Sequence, residues 1–127
     1  MKKELIEIAK KASEKAYAPY SKYKVGAALK TKSGKIFSGC NVENSSYGLT
    51  NCAERTAVFK AVSEGETEFD EIVIFTDSEK LPTPCGACRQ VLSEFSSDLK
   101  IKMISNCEEK QATIAELLPL GFKLIDK

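Results

Sequence analysis

Three cysteines split between two short segments constrain the fold more than any other feature of this chain. Cys52 lies in Asn51-Cys52-Ala53-Glu54-Arg55, and Cys85 and Cys88 lie in Pro84-Cys85-Gly86-Ala87-Cys88. The chain contains no histidine. A tight zinc site must therefore come from thiolates and carboxylates, and one ion can be shared only if both segments meet. Three thiolates leave the fourth tetrahedral position open to water, which separates a catalytic zinc from a structural one. Glu54, two residues from Cys52, is placed to handle that water's protons.

The surrounding pattern puts both segments at helix starts. Residues 2–17 carry Leu5, Ile8, Ala9, Ala12 and Ala16 at helical spacing, and Pro19 prevents continuation. Tyr23–Lys30 alternates as a strand. A Gly34-containing turn leads into a second strand through Ile36, Phe37 and Val42, giving a hairpin. Residues 43–51 read as a polar loop. A helix follows, with Ala53, Ala57, Val58, Ala61 and Val62 forming its stripe, and it ends near Gly65. Ile72–Phe75 is a short apolar strand suited to a sheet covered on both faces. Leu81-Pro82-Thr83-Pro84 is a rigid loop, Gly86–Phe95 a helix, Lys100–Ser105 a strand, and Ile114–Leu118 a helical turn stopped by Pro119. Helices alternating with strands after an opening hairpin predict an α/β fold, a three-layer α-β-α domain with a mixed sheet, spanning residues 1–127 as one unit.

Cysteines at i and i+3 of a first turn place both sulfurs on one side. Unpaired N–H groups and the helix dipole there favour thiolate over thiol. Two helix N-termini converging on one ion is the assembly this suggests. Positions i and i+2 within a helix point about 200° apart. Cys52 must therefore sit at the very end of its helix if its sulfur and the Glu54 carboxylate are to face one site.

Bulk properties narrow the class. With 19 basic and 18 acidic residues the formal charge is +1, so no global field attracts nucleic acid or anionic membrane. No apolar run approaches a membrane span. The charged start, Met1–Glu7, lacks the apolar stretch of a signal peptide. Five cysteines without a secretion signal predict reduced thiols in the cytoplasm.

Cys-x-Glu at a helix start, then a strand, then Pro-Cys-x-x-Cys at the next helix start, is a signature shared with nucleobase deaminases. The chain resembles the small, homotetrameric type of cytidine deaminase over nearly its whole length. The matching segments are residues 18–28 (Ala-Pro-Tyr-Ser-Lys-Tyr-Lys-Val-Gly-Ala-Ala), 39–44 (Gly-Cys-Asn-Val-Glu-Asn) and 52–57 (Cys-Ala-Glu-Arg-Thr-Ala). Residues 84–90 (Pro-Cys-Gly-Ala-Cys-Arg-Gln) and 117–119 (Leu-Leu-Pro) complete the set. The resemblance implies Zn²⁺ on Cys52, Cys85 and Cys88, with Glu54 as the proton shuttle and zinc-bound hydroxide as the nucleophile. It implies a nucleoside substrate, cytidine or deoxycytidine, held by Asn41 and Glu43 at the ribose hydroxyls, with Ala53 also in the substrate-binding set. An aromatic residue at position 23 packs on the nucleoside. The family usually has Phe there, and this chain has Tyr23, whose hydroxyl needs a partner. Phe122 is the candidate for a C-terminal Phe that reaches a neighbouring subunit's site. Pyrimidine salvage and a homotetramer follow from the same resemblance.

The chemistry agrees independently. Deamination needs water activated near neutral pH and one carboxylate to relay its proton. Three thiolates on Zn²⁺ leave a formal charge of −1, which opposes ionising the water. The helix ends offset part of it, and Arg55 is the candidate for the rest by donating to thiolate sulfur. Arg89 is divided between a similar role and the surface. A structural zinc knot completed by Cys40 or Cys107 is the plainer reading of the cysteines, and these two are otherwise small buried hydrophobes. Tyr47 is a candidate interface residue. The rival functions are deamination of an aminoacyl-nucleoside antibiotic, a nucleic-acid editing protein and a non-catalytic zinc module.

Overall fold

The computed structural model describes residues 2–124. Helix α1 spans Lys2–Ser13, followed by strands β1 (Val25–Thr31) and β2 (Ile36–Cys40). Next come a short 3₁₀ turn at Tyr47–Leu49, α2 (Ala53–Ser63), β3 (Phe69–Thr76) and α3 (Gly86–Phe95). The chain then forms β4 (Lys100–Ile104), β5 (Glu109–Thr113) and α4 (Ile114–Leu117). The sheet runs β2-β1-β3-β4-β5. Only β3 and β4 are parallel; the other pairings are antiparallel. The parallel pair is joined across α3, as a crossover connection requires.

Strand alternation splits the core into two layers. Ala27, Leu29, Ile72 and Ile74 face Ala57, Val58 and Leu92 of α2 and α3. Ala28 and Val73 face Leu5 and Ala9 of α1. The three-layer α/β expectation with a mixed sheet is met, with α1 alone on its face. Glycine allows the helices to lie this close. A Cβ on Gly26 would fall 2.0 Å from the Ala9 carbonyl oxygen, and one on Gly39 would fall 2.5 Å from the Ala57 nitrogen. Gly39 thus seats α2, the helix that carries Glu54.

The structure departs from the sequence reading in several elements, and β3 alone begins three residues early, at Phe69 instead of Ile72. The first helix ends at Ser13, not 17, and the chain continues through i→i−3 bonds such as Lys15 N to Ala12 O, 3.0 Å. Ser13 promotes the change by donating its hydroxyl to the Lys10 carbonyl, 2.6 Å. The second strand stops at Cys40, and Val42 makes only isolated bridges to Tyr17 and Asn51. Strand β5 was not anticipated. Its Glu-Lys-Gln-Ala-Thr sequence has no apolar alternation. It is an edge strand held by backbone pairing to β4, and charge suits an edge.

Candidate active site

Two helix N-termini meet beside the start of β1. Cys52 is the N-cap of α2 (φ −78°, ψ 159°) and Cys85 the N-cap of α3 (φ −69°, ψ 172°). Each carbonyl accepts the first helical bond, from Thr56 N at 3.0 Å and Arg89 N at 2.9 Å. Extended backbone at Cys52 resolves the geometric conflict between i and i+2. Its side chain leaves before the helix turns, so sulfur and the Glu54 carboxylate both reach the cluster. Cys88, in the first turn of α3, is fully buried.

The three sulfurs lie within 4.8 Å of one another. Cys52 Sγ is 3.9 Å from Cys85 Sγ, which is 3.4 Å from Cys88 Sγ. A tetrahedral zinc with Zn–S bonds of about 2.3 Å needs sulfurs roughly 3.8 Å apart, and the 3.9 and 3.4 Å separations lie within a few tenths of an ångström of that spacing. Cys88 close by, then the Arg55 guanidinium, brings the Cys52 thiol down to about 5 despite burial. The Cys88 thiol is pushed up instead, by its contact with Cys52 and by burial. Of these two, Cys52 is the one that ionises more readily. Cys40 is half-buried and Cys107 is exposed, with its Sγ 3.3 Å from the Glu79 carbonyl oxygen. Neither joins the cluster, and the expectation that both are buried hydrophobes fails for exposed Cys107 and is met only halfway by Cys40.

Glu54 is 4% exposed. Burial lifts its carboxyl from the ordinary 4.5 to about 7, offset by its own backbone N–H and reinforced by the Cys52 charge. A carboxyl held there can take and release protons near neutrality. Arg55 Nη2 lies 3.6 Å from Cys52 Sγ and 3.3 Å from the Thr50 carbonyl oxygen. Its Nε is buried without a partner among the described residues. Arg89 turns elsewhere: Nε donates to Pro84 O at 2.7 Å and Nη1 to Leu117 O at 2.9 Å. It holds backbone, not sulfur.

A cavity of about 160 Å³ opens on the cluster, lined by Tyr23, Asn41, Ala53, Glu54, Cys52 and Cys85, with Pro82 and Thr83 forming one wall. Ala53, fully buried, lines it with a side chain that stops at Cβ and so leaves room beside Glu54. Asn41 is clamped at the start of β1: Oδ1 accepts from Val25 N at 2.9 Å and Nδ2 donates to Tyr23 O at 2.8 Å. An amide has a second N–H and a second lone pair to offer. Glu43 does not line this cavity. Its carboxylate accepts from Tyr20 N at 3.0 Å, Ser21 N at 3.1 Å and the Ser21 hydroxyl. Those bonds, that of the hydroxyl foremost, hold its carboxyl below the usual value. Phe122 lies outside the cavity of its own chain and is 68% exposed. For the wall residues Pro82 and Thr83 the sequence indicates only a rigid loop. The proline pair just before a candidate ligand was the available signal.

What such a site can do is activate water and pass its protons on, and on this three-layer sheet that defines the class of zinc-dependent deaminases. A family profile described as "Cytidine and deoxycytidylate deaminase zinc-binding region" matches residues 1–104. The chain is 49% identical over 124 residues to the cytidine deaminase of Sporosarcina psychrophila, covering 96% of this chain and 91% of that protein. It is 48% identical over 125 residues to that of Halalkalibacterium halodurans, covering 96% and 94%. The crystal structure of cytidine deaminase from Burkholderia pseudomallei superposes with a TM-score of 0.91 at 48% identity, covering 96% of this chain and 99% of that one. This chain belongs to the cytidine and deoxycytidylate deaminase family. Zn²⁺ is its cofactor, and the Cys52–Cys85–Cys88 cluster fits the ion.

Proposed function

We propose that this protein hydrolyses free cytidine and deoxycytidine to uridine and deoxyuridine, with release of ammonia, in cytoplasmic pyrimidine salvage. The observation that carries this reading is the placement of Glu54, a buried carboxyl tuned by its surroundings and opening beside three cysteine sulfurs onto a base-sized cavity.

Zn²⁺ supplies the Lewis acidity that makes water nucleophilic near neutral pH. Glu54 takes a proton from the attacking water and delivers it to N3 of the base as C4 becomes tetrahedral. It carries a second proton to the amine as the C4–N4 bond breaks, so cytidine and water become uridine and ammonia. Ala53 admits the base edge close to Glu54 because its side chain stops at Cβ. The Tyr23 ring forms a face for the nucleoside. Asn41 offers its remaining N–H and lone pair to the sugar. About four lone-pair sites exist on a carboxylate, so Glu43 keeps acceptor capacity beyond its bonds to residues 20–21. Phe122 serves a neighbouring copy's site in a homotetramer. Tyr47 and Leu49, exposed together on the short turn after β2, are apolar side chains such an assembly could cover. Among the described residues no helix is long and apolar enough to cross a membrane.

The test is absorbance-monitored conversion of cytidine and deoxycytidine, with and without a zinc chelator, beside a single-stranded oligonucleotide containing cytosine. Turnover of the free nucleosides, abolished by the chelator, is expected. Deamination of the oligonucleotide alone would overturn the reading.

Asn41→Ala is expected to lower kcat/KM for cytidine on the order of tenfold, the scale of one lost hydrogen-bonding group. Zinc content, measured by metal analysis, should not change. Unaltered kinetics would remove Asn41 from the sugar site. For Arg55→Ala the expected outcome is lower activity and a pH–rate profile whose acid limb moves to higher pH. Losing the guanidinium beside Cys52 leaves the cluster more negative, so the reacting water ionises less readily. Arg89→Ala provides the contrast, since Arg89 bonds carbonyls instead of sulfur. A profile for Arg55→Ala that overlays the parent would leave charge compensation to the helix ends.

A further inference from the structure

The loop 77–85 carries one candidate zinc ligand and one wall of the cavity, yet has no regular secondary structure. It is fastened by its carbonyl oxygens. Asp77 O accepts from Asn106 Nδ2 at 2.9 Å, and Ser78 O accepts from Asn106 N at 3.0 Å. Lys80 O accepts from Tyr23 Oη at 2.7 Å, and Pro84 O from Arg89 Nε at 2.7 Å. The stretch between Lys80 and Pro84 has few donors of its own. Pro82 lacks an N–H, and the Thr83 N–H turns inward to Leu81 O at 2.9 Å. Among the described residues, its hydrogen bonds to the rest of the molecule are those two end points. Arg89 also grips Leu117 O, but Tyr23 is the anchor whose ring borders the cavity. The phenol is held above its ordinary value, chiefly by burial, so it stays protonated and donates.

We propose that the Tyr23 hydroxyl is a positioning group that ties the loop carrying Pro82, Thr83 and Cys85 to the start of β1, fixing the cavity wall. The inference rests on the assignment of this cavity as the nucleoside site. A phenylalanine here provides a ring face but no tether. Tyr23 thus combines a platform with a strut, and only the strut depends on oxygen. Glu54, Cys52 and Cys88 are held by helices, so loosening the loop degrades substrate fit more than proton transfer.

The test compares zinc-loaded parent, Tyr23→Phe and Asn106→Ala. Removing one hydrogen bond of ordinary strength corresponds to about a two- to tenfold change. In Tyr23→Phe, hydrogen exchange of the 77–85 peptide and zinc loss to a colorimetric chelator should accelerate by about that factor, with peptides of β3 and α2 unchanged. KM for cytidine should rise by a similar factor while kcat stays within about twofold. Asn106→Ala removes the side-chain tie to Asp77 O at the far end of the loop and keeps the backbone bond to Ser78 O, so exchange there should quicken without the rise in KM. Unchanged exchange in Tyr23→Phe would overturn the proposal, whatever KM does. An equal rise in KM in Asn106→Ala would also overturn it, since general loop softness would then suffice. Failure of the parent to turn over cytidine would sink the function reading instead, while exchange and zinc loss would still report on the tether.

Discussion

Glu54→Gln is expected to fold, bind zinc and lose at least about 10²–10⁴ of its turnover, the usual contribution of a positioned general acid–base group. The amide copies the carboxylate's shape but cannot relay a proton from water to the base. Steady-state kinetics on cytidine with parallel metal analysis is the measurement, and near-parental turnover in zinc-loaded variant would reject the mechanism. Stability gives a second readout. Burial raises the Glu54 carboxyl from 4.5 to about 7, so the folded, metal-free protein binds this proton more tightly than the unfolded chain. The unfolded state then binds fewer protons, and the group's contribution to stability falls as pH rises from 4.5 through about 7. Metal-free Glu54→Gln should therefore melt above the metal-free parent at about pH 8, with the gap closing near about pH 4. A lower Tm for the variant at the higher pH would mean that the buried carboxylate is stabilised by contacts the amide cannot replace.

Cys85→Ala is expected to abolish both zinc retention and activity, because two thiolates do not hold the ion against a chelator. This cysteine is the informative one to remove. Cys85 is exposed at an N-cap, whereas Cys88 is fully buried. Truncating Cys88 would open a cavity in the core and mix unfolding with metal loss. Cys85→Ala should keep the parent's far-ultraviolet circular dichroism while its zinc content falls to background. Stoichiometric zinc with turnover intact would show that Cys85 is no ligand.

Local signals made much of this site legible. The Cys-Ala-Glu and Pro-Cys-x-x-Cys segments identify helix starts because N-terminal N–H groups favour thiolate there. The period-2 and period-3.6 apolar patterns located strands β1–β4 and helices α1–α3 to within a few residues. The pattern failed where stability comes from elsewhere. Strand β5 has no buried alternation and exists because β4 offers it a hydrogen-bonding edge. Ala16 matched the helical stripe, but Tyr17 N was drawn to Asn41 O instead, at 3.0 Å. Glu43 looked equivalent to Asn41 two residues away. Because β2 ends at Cys40 the two part, one to the start of β1 and one to the 20–21 turn.

Sequence by itself determined the donor set, the carboxylate beside it and the mixed three-layer sheet. Each depends on residue type and near-neighbour spacing. The tertiary structure decided that Cys52 is an N-cap in extended conformation, that Arg55 turns to sulfur while Arg89 turns to carbonyl oxygen, and that the Tyr23 hydroxyl finds Lys80. These are contacts between residues up to 57 positions apart. Their geometry is set by how closely the helices seat on the sheet, and no local pattern records that distance.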